Sequence, residues 1–539
     1  MSSRLEARKH LMALAASTSA DVIVVGGGIN GAGIALDAAS RGLRTVLLER
    51  DDLAVGTSSR SSKLIHGGLR YLEHLQFGLV REALAERHLL STRLAPHLVH
   101  IERFTVPVYG GRWQTPYLAT GLALYDLLGG RKAGPFGHLS HSQALAEMPT
   151  LHRTGLRGAF QYSDGVFDDA RLVVAAARSA ATLGATILTR CEVLEPIRSG
   201  ALVEGVRVFD RLSAEHVEMK ARVVIDATGV FDFEPGAVNS LRPSRGTHLV
   251  IPRSKIPLKG GLTLRVPGRL VFVIPWGGNW LVGTTDVPHR GDKDRPTATR
   301  EEVSYLLSSL AEFLDVRLTL NDILATFAGI RPLVGGGEDT SFLSREESIE
   351  EREPGLVTVR GGKYTTYRRV AQRAVDFTSS RLGEIPPSPT KWLPLVGAAA
   401  PGVLSRLGEE LGPATSLDDS IGQHLVARFG REAFEVASIA ASADMAEPLV
   451  RGLPYLRAEA AWAIKREYAL SIDDVLARRS RIAIEDPNHG MSAAGFVAGL
   501  LAKELGWGPD EQADAVEEYR KSSAIEYGVP GRVMQGAVK

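Results

Sequence analysis

The sequence predicts an α/β fold in three parts: a parallel, dinucleotide-binding sheet domain, an antiparallel-sheet domain threaded through it, and an α-helical domain at the C-terminus. Three observations lead there. An uninterrupted β-branched run, residues 22–25, passes directly into a glycine-rich turn. Residues 245–343 break into short strands separated by Pro and Gly. Beyond a Pro-rich stretch at residues 386–401 the pattern turns helical.

Residues 1–20 are a tail, either a short helix or a frayed end. The run 22–25 has no polar interruption, as a strand buried on both faces requires. Gly26, Gly28 and Gly31 then fill the G-x-G-x-x-G template of a Rossmann-type unit, with Asn30 inside it. The first glycine permits the tight turn, the second lets backbone approach a pyrophosphate, and the third allows close helix-on-strand packing. The helix that follows runs to Arg41 and stops at Gly42. Residues 45–48 form the second strand, and Glu49 stands at its end, 23 residues beyond the first glycine, where a carboxylate accepts ribose hydroxyls. The motif alone does not separate NAD from FAD.

Residues 56–71 set small hydroxyl residues and glycines among Lys63, His66 and Arg70. A solvated Ser-rich linker would look similar, but Leu64, Ile65 and Leu69 argue for a packed loop lying against a polar ring or phosphate. Residues 73–94 read as one amphipathic helix closed by Pro96. Asp168 or Asp169 caps a helix over 170–183, 185–188 is a strand, and 202–209 with 221–225 form a strand pair. Residues 223–229 return a buried strand to a small-residue turn, so that Thr228 and Gly229 offer a second backbone approach to a cofactor. Within 245–343, strands are expected at 249–251, 262–266, 270–274 and 280–283, with one helix over 301–313.

A chain of 539 residues allows two to four domains at roughly 150 residues each. A net charge of +1 gives no reason to expect nucleic acid as a partner. The single Cys191 rules out an intrachain disulfide and a Cys-x-x-Cys pair, so redox chemistry has to come from a cofactor; Cys191 itself reads as a packed thiol. No apolar run reaches the roughly 18 residues of a membrane span, and residues 11–16 are short for a signal segment, so a cytoplasmic location is expected. No H-E-x-x-H or Cys/His spacing occurs among the 14 histidines, and no metal is expected.

The segment Gly-Gly-Gly-Ile-Asn-Gly-Ala-Gly ending at Gly33, with Thr57-Ser-Ser and Ser62-Lys-Leu-Ile-His-Gly-Gly-Leu-Arg-Tyr, closely resembles the FAD-dependent glycerol-3-phosphate dehydrogenases. The likeness continues through Phe167-Asp-Asp-Ala-Arg-Leu, Asp226-Ala-Thr-Gly, Gly246-Thr-His, Val273-Ile-Pro-Trp, Gly283-Thr-Thr-Asp, Gly329-Ile-Arg-Pro-Leu and Gly361-Gly-Lys-Tyr-Thr-Thr-Tyr-Arg. It departs locally at residues 230–235.

The resemblance implies one FAD-dependent oxidoreductase region over 21–385. Cofactor-binding segments fall at about 21–100, 160–235 and 344–385, substrate-domain segments at about 101–159 and 236–343, the linker at 386–401 and the helical domain at 402–539. It implies FAD contacts from Gly26, Gly28, Asn30, Gly31, Glu49, Thr57, Ser58, Ser62, Lys63, His66, Gly67, Thr228, Gly229, Gly362, Lys363, Thr365 and Thr366. The last four belong to a stretch that opens a helix whose free amides suit the negative charge of a reduced flavin.

The implied substrate is sn-glycerol 3-phosphate, oxidised to dihydroxyacetone phosphate, with Arg70, Tyr71, His248, Arg331 and Lys363 lining its pocket. A phosphate requires fixed cations, and the forked guanidinium of Arg331, held beside Pro332, suits it. The base for the C2 hydroxyl is assigned to His248, with His66 second, because an imidazole is partly neutral at working pH. By the same resemblance electrons pass to a quinone, the protein contacts the inner face of the cell membrane peripherally, and it is a homodimer. No lipid-facing helix stands out. Rival expectations are an oxidase that reduces oxygen, an amino-acid oxidase on the same architecture, and a flavoprotein whose FAD is only structural. In the C-terminal region residues 460–470 and 471–481 are the clearest helices, and Glu467, Asp473, Asp474, Arg478, Arg479 and Arg481 read as surface ion pairs.

Overall fold

The computed structural model describes residues 4–532 except 112, 131, 133, 232, 234–240, 335–346 and 416. The first sheet carries its strands in the order Ser348–Glu353, Leu356–Arg360, Glu215–Asp226, Ala20–Val25, Thr45–Leu48, Thr186–Leu188. Val22 pairs in parallel with Val223 on one side and with Thr45 on the other. Val22, Ile23 and Val24 are fully buried, the burial that selects an all-apolar strand over an alternating one.

The helices Ile29–Ser40, Asp169–Thr182 and Tyr367–Phe377 cover one face of this sheet and share one apolar core with it. Two of them are punctuated by residues the sequence offers: Gly42 takes φ +82° just past the first, and Asp168, one of two candidate caps, caps the second by accepting the Arg171 N–H. On the opposite face lie the strands Cys191–Ser199 and Leu202–Asp210. Glu215–Asp226 joins both layers: residues 215–220 pair antiparallel with Leu202–Asp210, and 221–226 run parallel to the first strand. The expected tail is the helix Arg4–Ser17, tied down where Arg8 grips both carboxylate oxygens of Asp210 at 2.8 Å. Cys191 is buried beneath it, and burial pushes its thiol up to about 12, so it is packed and protonated.

Among the described residues the second sheet has ten strands. Leu241–Pro252 lies between Ala325–Val334 and Asn279–Gly283, and Arg269–Trp276, Gly261–Val266, Val99–Tyr109 and Leu156–Phe167 follow in that order. The expected helix is Arg300–Ala311, opened by a Thr299/Glu302 capping box. Val99–Tyr109 and Leu156–Phe167 pair over their length, from Val99 opposite Phe167 to Tyr109 opposite Leu156, so this sheet extends past the expected 101–159 segment at both ends.

The single helix expected over 73–94 is interrupted. Arg70–Glu73 and Phe77–Leu89 are separate helices, and Leu75 between them has φ +57°, a left-handed conformation that stops an α-helix. The Pro-rich linker is fastened along the first domain: the Leu395 amide bonds Leu94 O and the Val396 amide bonds Ser179 Oγ, both at 2.9 Å. After it come the helices Pro401–Thr415, Asp419–Phe429, Arg457–Arg466, Met491–Leu505 and Pro509–Tyr527, with shorter ones between. Of the two helices expected over 460–481, the first ends at Arg466 before Tyr468 (φ +64°), and the second is a π-helical turn, Asp474–Arg479.

The charges of that segment correct the surface reading. Glu467, Asp474, Arg478, Arg479 and Arg481 are all buried. Arg479 holds Asp52 through both guanidinium nitrogens at 2.7 and 2.6 Å, Arg190 pairs with Asp474 at 2.8 Å, and Arg171 with Glu467 at 2.6 Å. Arg481 pairs with both Asp168 and Asp169. The charges are internal because their partners arrive from the first domain, more than 250 positions away in the chain for every pair.

Candidate active site

The dinucleotide turn is built from backbone that has no room for side chains. Gly26 has φ +108°, and a Cβ there would stand 2.7 Å from the Ala227 carbonyl oxygen; one at Gly31 would stand 1.9 Å from Gly26 O. Gly28 is the N-cap of Ile29–Ser40, whose first-turn amides have no intrahelical acceptor. Ser58 Oγ accepts the Ile29 N–H at 3.0 Å, which fastens the Ser-rich loop to the helix start. Asn30 Nδ2 donates to Gly361 O at 3.2 Å and joins the turn to the 361–366 segment.

A cavity of 380 Å³ runs from this turn to the second sheet. Its walls include Gly26, Gly28, Asn30, Glu49, Thr57, Ser58, Ser62, His66, Thr228, Gly229, Gly362 and Lys363, and its far end is closed by Tyr71, His248 and Arg331. A second chamber of 190 Å³ shares Ser62, His66, Tyr71 and Arg331 with the first and adds Thr284, Thr285, Asp286 and Arg269. The structure therefore brings the dinucleotide turn and the predicted cations Arg331 and Lys363 to the wall of one space.

Glu49 lies at the strand end as expected. Its oxygens accept the Gly27 N–H at 2.6 Å and the Asp51 N–H at 2.8 Å, leaving lone pairs for ribose hydroxyls. Burial pushes its carboxyl up to about 7 in spite of those bonds. The buried Tyr71 hydroxyl and His248 Nδ1 have no hydrogen-bond partner among the described residues. A bare glycine cradle, a carboxylate 23 residues on and polar atoms awaiting a ligand fit a dinucleotide carrying a reactive ring at the cationic end.

Five of the residues expected to touch the cofactor lie off the wall of this cavity. Lys63 is absent from the cavity wall: it is fully buried with φ +54°, and its Nζ bonds Asp169 Oδ1 at 2.8 Å and Ser59 O at 3.0 Å. Gly67 is also off the wall, because it packs against Leu84 and gives its amide to the Tyr125 hydroxyl at 2.7 Å. Thr365 and Thr366 are turned inward, Thr365 Oγ1 accepting the His66 N–H at 3.2 Å and Thr366 Oγ1 donating to Lys363 O at 3.4 Å. Gly31 lies behind the wall in the packing role given to it. Arg70 belongs to the helix Arg70–Glu73, and its side chain lies outside the described residues.

At the cationic end Arg331 donates to Asp286 Oδ1 and Thr284 Oγ1, each at 3.1 Å, and to Thr285 O at 3.3 Å. Gly246 leaves space for it, since a Cβ there would lie 2.6 Å from Arg331 Nη2. Lys363 Nζ sits 3.5 Å from the centre of the Tyr71 ring. His248 is buried, stacked on Phe327 at 4.8 Å, with Nε2 2.9 Å from Ser62 Oγ. Burial, then the charges of Arg331 and Lys63, hold its imidazole well below the ordinary histidine range, so it is neutral.

Sequence reasoning missed the supports. Asp286 and Thr284 aim Arg331, and their signal was the Gly283-Thr-Thr-Asp string, quoted for likeness and given no role. Asp226 pairs with Arg360 at 2.5 Å and takes the Thr228 hydroxyl at 2.7 Å, bracing the second turn. The helix Gln114–Leu128 was not foreseen. With Trp113 85% and Tyr117 53% exposed, it borders an apolar groove that shares Leu69, His74, Arg269 and Leu270 with the smaller chamber.

Comparison with known proteins gives concordant matches. Residues 21–366 match the family model described as FAD dependent oxidoreductase, and residues 388–512 match the one described as the C-terminal domain of alpha-glycerophosphate oxidase. A glycerol-3-phosphate dehydrogenase of Mycobacterium leprae is 42% identical over 509 residues, covering 93% of this chain and 87% of the relative. The mitochondrial glycerol-3-phosphate dehydrogenase of Homo sapiens is 36% identical over 565 residues, covering 98% and 76%. The solved glycerol-3-phosphate dehydrogenase of Bacillus halodurans, complexed with FAD, superposes with a TM-score of 0.80 at 26% identity, covering 98% of this chain and 99% of that one.

Proposed function

The chain belongs to the FAD-dependent oxidoreductase family, and on that premise we propose that it oxidises sn-glycerol 3-phosphate at C2 to dihydroxyacetone phosphate. The observation that carries this reading is the gathering of Arg331, Lys363, Tyr71 and His248 on the wall of the same cavity as the glycine turn. FAD, when bound, supplies the acceptor for the hydride that leaves C2. The protein's own part is to hold the phosphate, orient the alcohol and take its proton. Arg331, aimed by Asp286 and Thr284, presents a fork suited to phosphate oxygens, and Lys363, over the Tyr71 ring, adds a compact cation to the same cavity. His248, neutral and held at Nε2 by Ser62, is the residue assigned to take the C2 hydroxyl proton. Gly362 and Lys363, just ahead of the 364–366 turn, offer backbone to the cofactor.

A hydrophobic quinone suits this protein better than oxygen as the electron acceptor. The supporting observation is the 950 Å³ groove, walled by Leu69, Leu72, Leu118 and Leu122, that opens beside the smaller chamber. No helix of the described residues is long and apolar enough to cross a membrane. Trp113, Tyr117, Leu75 and Phe77, all exposed, suit a peripheral lipid contact at the groove mouth. A homodimer remains part of the proposal, tested by light scattering of the purified protein.

The decisive assay is anaerobic addition of sn-glycerol 3-phosphate to the yellow holoprotein. Bleaching of the flavin supports the reading, and an unchanged spectrum overturns it. Bleaching by glycine or sarcosine in its place would favour the amino-acid oxidase alternative. Faster turnover with a soluble quinone than with oxygen is the expected ranking of acceptors.

A further inference from the structure

The histidine at the cationic end is held by a chain of contacts that begins in the C-terminal domain. Its partner Ser62 sits in the short segment Ser61–Lys63, and that segment is fixed by Asp169. Asp169 Oδ2 accepts the Ser61 amide at 3.1 Å and the Ser61 hydroxyl at 2.7 Å; Oδ1 accepts Lys63 Nζ at 2.8 Å. Ser61 Oγ in turn accepts the Lys63 amide at 3.0 Å. Lys63 Nζ lies 5.1 Å from the centre of the Phe327 ring, the ring on which His248 stacks. Asp169 is fully buried, and besides Lys63 the cation that holds its carboxylate is Arg481, which also binds Asp168 at 3.0 Å and the Ser59 carbonyl at 3.5 Å.

We propose that Arg481 of the C-terminal domain is a positioning residue for the oxidation: through Asp169 it sets the Ser61–Lys63 segment, and through Ser62 it sets the ring of His248. The geometry makes this more than a domain clasp. Arg171–Glu467 and Arg479–Asp52 clasp the same two domains, yet neither pair touches the 61–63 segment. The Arg481 pair is different, because its partner Asp169 bonds Ser61 and Lys63, the residues on either side of the hydroxyl bonded to His248. An imidazole turned by a few tenths of an ångström loses its alignment with the alcohol while the phosphate cations stay in place.

The inference rests on the proposed glycerol-3-phosphate oxidation, and the experiment separates the two. Holoproteins of wild type, Arg481→Met, Arg481→Lys and Arg171→Met are compared per bound flavin. Anaerobic flavin reduction by sn-glycerol 3-phosphate gives the rate, and the flavin absorbance change on titration with glycerol 2-phosphate gives the affinity for a phosphate ligand. Arg481→Met is expected to slow reduction at least tenfold with affinity changed less than twofold. Arg481→Lys is expected to recover part of the rate, and Arg171→Met to lower the melting temperature while keeping it. If Arg481→Met does not fold, Ser61→Ala supplies the test, with an expected fall of about threefold, since it removes one hydrogen bond of the relay. Wild-type rates in Arg481→Met or Ser61→Ala, or an equal loss in Arg171→Met, overturn the positioning role. A wild-type protein that sn-glycerol 3-phosphate does not reduce overturns the function itself.

Discussion

His248, the proposed base, is a buried imidazole with its ring fixed on two sides. An imidazole packed between Phe327 and the Ser62 hydroxyl, with cationic neighbours, stays neutral. His248→Asn should lower kcat by about 10²–10⁴ with flavin content retained, the range a lost general base produces. Arg331→Met should instead act on binding: losing charge-assisted hydrogen bonds of about 1.5–3 kcal/mol raises KM about 10- to 100-fold in steady-state assays. His97 gives a stability prediction of known sign. Burial drives its imidazole down to about 3, whereas the unfolded chain takes up a proton below about 6.5. Stability is therefore complete above pH 6.5 and declines as pH falls toward 3. His97→Leu should flatten the dependence of melting temperature on pH across that window, and an unchanged slope would argue that His97 is not the group responsible.

At the scale of elements, legibility in the sequence followed the range of the interaction. The turn at Gly26–Gly31 was readable because strand, glycines and helix are contiguous and each glycine answers a local steric demand. Gly26→Ala, strained at φ +108° and crowding Ala227, should leave the purified protein with less FAD than wild type. The helix start after Gly361 and strands of the second sheet were readable for the same reason, and the cap was readable to within the pair Asp168 and Asp169. Long-range partners were not. Arg478, Arg479 and Arg481 resemble any solvated charge cluster until Asp52, Asp168 and Asp169 come into place. Lys63 stands in a motif full of ligand-facing residues, and only its left-handed backbone turns it toward Asp169. Breaking one of these buried pairs leaves an uncompensated charge at a cost of about 3–5 kcal/mol. Asp52→Leu, which strands Arg479 and removes a partner of Arg478, should accordingly melt several degrees below wild type in calorimetry.

At the scale of the whole molecule, a parallel sheet supplies the nucleotide turns, an antiparallel sheet closes the cationic end, and a helical domain is bolted to the first by buried ion pairs. The apolar groove shares Leu69, His74, Arg269 and Leu270 with the smaller chamber, and the proposed access of a lipid-soluble acceptor rests on that adjacency. Trp113→Ser with Leu75→Ser should lessen binding to anionic vesicles in a flotation assay while leaving flavin reduction by substrate intact. The central claim, a flavin reduced by one small phosphorylated alcohol, is tested most directly by a single-turnover experiment. The holoprotein is mixed anaerobically with equimolar sn-glycerol 3-phosphate, and the product is measured beside the spectrum. The account predicts one dihydroxyacetone phosphate formed for each flavin bleached and no bleaching by the opposite enantiomer; an oxidised spectrum with no product formed would contradict it.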